Sequence, residues 1–129
     1  MSIQSPFPLR NTTPELVEHT FLGVGTGADE LTISYGPGIT AVRQGAGVHR
    51  VSFAEHPGTF VGYSFAFQGA TPANVAGHTV VLDTWVAPSG STLGYFDLTV
   101  YNASDAAHDL VATELVSVTF KFIRTGVTG

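Results

Sequence analysis

A chain of 129 residues with no cysteine and only 12% charged residues has no disulfide framework, no thiolate metal centre and no cysteine nucleophile. Its net charge is -5, and its few cations (Arg10, Arg43, Arg50, Lys121, Arg124) are scattered, whereas a surface that tracks nucleic-acid phosphates needs them clustered. The apolar runs are strand-length and broken by Gly and Pro, too short for a membrane helix, so neither nucleic acid nor membrane is an expected partner.

The length suits one domain. Met1–Pro6 carries neither the basic region nor the apolar core of a signal peptide, so export by the general route is not expected. Charged residues fall well below the roughly 25% of an ordinary soluble domain, and mean hydropathy is positive. Such a surface consists of Ser, Thr, Gly and apolar atoms. Because interface cores are poor in charge, much of it is expected to lie against neighbouring subunits or a partner. A Thr/Ser-rich β surface with no partner is the alternative.

Ser2–Pro14 reads as an extended arm, since Pro6, Pro8 and Pro14 oppose ladder pairing. Phe7 and Leu9 are apolar anchors within it and Arg10 a cation beside them, which makes these three its candidate partner-binding residues. Thr13-Pro14-Glu15 has the form of a helix N-cap, predicting a turn of helix through Leu16–His19. The arm is therefore drawn over 1–19 and the β domain over 20–129.

Thr20–Val24 is the first predicted strand, followed by Leu31–Tyr35, which Gly36-Pro37-Gly38 stops. Ile39–Gln44 and Val48–Phe53 flank Gly45-Ala46-Gly47, a hairpin loop whose glycines supply positive φ. In Thr59–Gln68, Val61, Tyr63, Phe65 and Phe67 share one face and the small Gly62, Ser64 and Ala66 the other. Gly69–Gly77 reads as a loop. His78–Ala87 places Val80, Leu82 and Val86 on one side and Val81 and Trp85 on the other; a strand apolar on both faces is central or at an interface. Leu93–Asn102 points Phe96, Leu98 and Val100 one way, and Asn102–Ala112 is a connection. Glu114–Arg124 alternates most cleanly, with Val116, Val118, Phe120 and Phe122 against Ser117, Thr119 and Lys121. About eight strands with regular turn signals and no long amphipathic helix predict an all-β domain, a β-sandwich, jelly-roll-like fold or β-barrel.

Chemistry is sparse. Gly23-Val24-Gly25-Thr26-Gly27 lacks the spacing of a nucleotide fingerprint and reads as a turn. Gly62-Tyr63-Ser64-Phe65-Ala66 fails as a nucleophile elbow at its last residue. The five histidines show no ligand spacing, and Asp105, His108 and Asp109 form the only local cluster, a weak Ca²⁺ signal more simply read as solvated turn residues. Asp83, Asp97 and Glu114 pair for acid–base work only if their strands adjoin. No catalytic, cofactor-binding or metal residue is assigned. Trp85 and Tyr95 are candidate interface residues; with Tyr63 and Tyr101 they are also the raw material of a sugar-stacking platform.

The hairpin GAGVHRVSF (Gly45–Phe53), the aromatic strand after it, the Trp-bearing strand, FDLTVYNASDAAHDL (Phe96–Leu110) and the closing VSVTFKF (Val116–Phe122) together resemble small all-β virion proteins of tailed bacteriophages. The nearest likeness is to head-decoration, or cement, proteins. The resemblance is one of pattern over Ile39–Arg124. It implies a non-enzymatic fold, a homotrimer on the capsid surface, the major capsid protein as partner, and an N-terminal segment docking on the shell. A carbohydrate-binding sandwich or tail-fibre domain is the second expectation, and a small hydrolase or isomerase the third.

Overall fold

The computed structural model describes residues 14–125. Eight strands follow in order: β1 (Pro14–Val24), β2 (Thr32–Tyr35), β3 (Ile39–Gly45), β4 (Val48–Phe53), β5 (Thr59–Gln68), β6 (Thr79–Leu82), β7 (Gly94–Tyr101) and β8 (Leu115–Thr125). A single helical turn, α1 (Pro72–Val75), interrupts the connection between β5 and β6. The strands form two four-stranded antiparallel sheets, ordered β2-β1-β8-β5 and β3-β4-β7-β6. Among the described residues each sheet keeps two free edges, so the fold is a β-sandwich and not a closed barrel.

Alternation drives the packing. β8 turns Val116, Val118, Phe120 and Phe122 inward, all fully buried, and β7 does the same with Phe96, Leu98 and Val100. Phe53 sits at the centre, its ring 5.3 Å from Phe120, 5.5 Å from Phe122 and 5.6 Å from Trp85, mostly edge to face. Each buried Phe contributes on the order of 2–3 kcal/mol from burial alone, so these rings dominate the core.

Four expectations change. Glu15–His19 is not helical but the first half of β1, paired with Phe120–Arg124 of β8, so the sheet begins ahead of the expected boundary at 19/20. One helical turn is too short to be stable alone, whereas the ladder satisfies the backbone groups of both β1 and β8. Phe7, Leu9 and Arg10 lie outside the described residues. In β5 a bulge between Phe60 and Gly62 leaves Val61 unpaired and half exposed, and Phe60 takes the inward position instead. The Gly45–Gly47 loop is tighter than expected, because β3 runs through Gly45 and only Gly47 has positive φ (70°).

The strand predicted over His78–Ala87 ends at Leu82. The chain then turns at Asp83, whose Oδ1 accepts the Thr84 N–H (2.8 Å), and rejoins the sheet at the Val86–Tyr95 bridge. That break reverses the alternation. Trp85 packs against the core over Gly94, and Val86 points outward, 39% exposed.

Candidate functional site

Strand register determines what each sheet shows to its surroundings. On the outward face of β2-β1-β8-β5, Leu16 opposes Ile123, Glu18 opposes Lys121, Thr20 opposes Thr119, and Leu22 opposes Ser117. β5 extends this face with Gly62, Ser64 and Ala66. Glu18 and Lys121 therefore stand opposite each other among hydroxyls, alanine, glycine and the apolar Leu16, Leu22 and Ile123. Thr20 and Thr119 tie their Oγ1 atoms together at 2.8 Å, removing two groups from the demand for water. Leu16 and Tyr35 flank the field, 57% and 58% exposed.

The opposite outward face, on β3-β4-β7-β6, carries a bidentate ion pair: Arg50 Nε and Nη2 donate to Asp97 Oδ1 and Oδ2 at 2.9 and 3.1 Å. The same guanidinium lies 4.1 Å above the Tyr95 ring. Val42 and Val81 stand half exposed on this face. A shallow depression of about 310 Å³ lies between Val48, Val81, Asp83, Asp97, Thr99 and Tyr101. Of the two aromatics expected at an interface, Tyr95 is outward but covered by Arg50, and Trp85 is half-buried among Phe53, Phe96 and Phe122.

At one end of the sandwich, the β5–β6 and β7–β8 connections converge. Asn102 Oδ1 accepts the N–H groups of Ser104 and Ala106, and Asp105 takes a left-handed φ of 59°, which folds the chain back after β7. His108 N–H then donates to the Val100 carbonyl at 2.9 Å. A second turn closes when Val111 N–H donates to Glu114 Oε1 at 3.0 Å. From the other connection, α1 and Gly77 (φ 78°) deliver His78, with the position of a Gly77 Cβ only 2.8 Å from Ala103 Cβ. His78, His108 and Glu114 each place a ligand-type atom within 4.8 Å of the others.

His108 Nε2 and Glu114 Oε1 are 3.2 Å apart, and Glu114 is 5% exposed. The His78 ring stands edge-on to His108 with centroids at 4.9 Å, and packs on Phe67 at 5.4 Å. Both ring nitrogens of His78 are buried without a hydrogen-bond partner among the described residues. Spacing in the chain gave no sign of this trio, because its members come from two separate crossovers between the sheets.

The acidic cluster read from Asp105, His108 and Asp109 is pulled apart. Asp109 turns away from His108 to accept from Arg43 Nε and Nη2 (3.1 and 2.8 Å) and from Gly47 N–H (2.9 Å), clamping the β3–β4 turn to the β7–β8 connection. The Arg43 guanidinium holds its carboxyl below the usual carboxylate range, against the opposing effect of burial. Asp97 and Glu114 are likewise committed to separate partners, Arg50 and His108, so no acid–base pair forms between them. At the far end a hollow of about 270 Å³ is lined by His19, Pro37, Gly38, Phe53, Ala54 and Glu55. Burial, then Arg124, lowers the pKa of His19, and Glu55 partly offsets them.

No protein-family model, no curated protein and no solved structure matches this chain.

Proposed function

We propose that this protein is a non-enzymatic virion building block that decorates and stabilises a tailed-phage capsid as an oligomer, most simply a homotrimer. One observation carries the reading: the outward face of β2-β1-β8-β5 holds Thr, Ser, Ala and Gly together with the apolar Leu16, Leu22 and Ile123, with Glu18 and Lys121 opposed across the strands. Small uncharged side chains let another protein surface approach closely at less desolvation cost than charged ones. A subunit bonded through such a face to its copies and to the major capsid protein adds interface that must break before the shell bursts. The carbohydrate-binding alternative expects an exposed aromatic platform around Trp85 and Tyr95, and it is weakened by Trp85 packing inward and Arg50 covering Tyr95.

The molar mass of the purified full chain by sedimentation tests the assembly, and co-sedimentation with capsids assembled from the major capsid protein of the same genome tests the partner. A trimer that co-sediments is the expected result. A monomer with no affinity for such capsids overturns the proposal. Phe7, Leu9 and Arg10 enter as the arm's contacts: deleting residues 1–13, which spares all of β1, is expected to leave the oligomer intact and abolish capsid binding.

A further inference from the structure

We propose that His78, His108 and Glu114 bind one divalent transition-metal ion of the Zn²⁺ type, clasping together the two connections that cross between the sheets at one end of the sandwich. The donor set carries the choice of metal. Two imidazoles and a carboxylate suit Zn²⁺, while Ca²⁺ and Mg²⁺ demand oxygen ligands and Cu⁺ demands sulfur. Zn–N and Zn–O bonds of about 2.0–2.2 Å place tetrahedral ligands roughly 3.3–3.6 Å apart. His108 Nε2 and Glu114 Oε1, at 3.2 Å, already stand close to that spacing. All three ligand atoms lie within 4.8 Å of one another.

The second observation is His78 itself. A neutral imidazole has one N–H and one lone pair, and buried polar atoms are nearly always partnered. With His108 and Glu114 simply hydrogen-bonded to each other, both His78 nitrogens remain unsatisfied among the described residues. A cation among the three residues takes the lone pair. The same Glu114 Oε1 also accepts the Val111 N–H at 3.0 Å, a hydrogen bond that fixes the orientation of the carboxylate. The fourth coordination position falls to water.

The test uses the full chain stripped with chelator, titrated with Zn²⁺ against a chromophoric competitor and, separately, with Co²⁺. Expected are one equivalent bound, a raised melting temperature, the intense visible bands of tetrahedral Co²⁺, and no competition from Ca²⁺ or Mg²⁺. His78→Ala loses no hydrogen bond and so keeps the fold. It is expected to weaken Zn²⁺ binding by roughly 100-fold or more. Glu114→Gln, which retains an acceptor for Val111, is expected to do the same, and His56→Ala, at the opposite end of the sandwich, to change nothing. Absence of stoichiometric Zn²⁺ binding, or binding that survives His78→Ala undiminished, overturns the proposal whatever the oligomeric state proves to be.

Discussion

His49 faces inward from β4 among Val51, Phe53 and Leu98, is 1% exposed, and has no partner for its Nδ1 among the described residues. Burial lowers its pKa from the ordinary 6.5; Asp109 opposes that shift and Arg43 adds to it. The sign follows from linkage. Well above pH 6.5 the imidazole is neutral in both the folded and unfolded chain and contributes no pH dependence. As the pH falls below that value the unfolded chain takes up a proton that the folded chain refuses, so stability is lost, by at most about 1.4 kcal/mol per pH unit for one group. His49→Leu removes both the refused proton and the orphaned nitrogen. Its unfolding free energy at pH 7.5 is expected to equal or exceed that of the parent by about 1 kcal/mol, with a shallower decline toward pH 5 in chelator. A decline as steep as the parent's would assign the acid sensitivity elsewhere, with His19 the next group to test.

At the scale of the element, the turn after β6 depends on a vacant position. A Cβ on Gly94 would lie 2.5 Å from Trp85 Cη2 and 2.9 Å from Pro88 Cδ, so the indole rests directly on the glycine. Gly94→Ala is expected to cost about 1–3 kcal/mol, as overpacking does, and to red-shift the emission of the chain's single tryptophan as the ring is pushed toward water. An unshifted spectrum with full stability would mean that the indole has another place to pack. Trp85 also marks where the sequence stops being legible. Period-two alternation in β7 and β8 identifies their buried faces without error, since an uninterrupted ladder conserves parity. One residue out of register undoes that inference, and both misread faces have such a cause: the bulge at Val61 and the break at Asp83–Thr84. The start of β1 was hidden differently, because Pro14 and Glu15 mimic a helix cap locally and only the length of β8 outweighs them. The His78–His108–Glu114 trio was illegible for a third reason. It exists only once β5 to β8 have taken their places in two sheets.

For the whole molecule, composition announces a charge-poor surface, but only the strand register says how it is divided. The β3-β4-β7-β6 face holds the Arg50–Asp97 pair and a depression walled by Asp83 and Asp97, whereas the β2-β1-β8-β5 face carries Thr, Ser, Ala and Gly with Leu16, Leu22 and Ile123. The proposed self-association would use the second face. Placing arginines at Ser64 and Ala66, both exposed and pointing outward from β5, would force unpaired cations into that contact. An unpaired buried charge costs several kcal/mol, enough to dissociate an ordinary oligomer at micromolar concentration. Ser64→Arg/Ala66→Arg is accordingly expected to sediment as a folded monomer with unchanged circular dichroism. Thr40→Arg/Gln44→Arg, exposed on β3 of the other sheet, is expected to keep the parent's mass. Raising the salt concentration adds a check independent of mutation. Contacts held by apolar and hydroxyl surface persist or tighten as charges are screened, while contacts held by ion pairs loosen. An oligomer that falls apart in 1 M NaCl, or that survives the β5 arginines and yields to the β3 ones, would place the interface on the ion-bearing sheet instead.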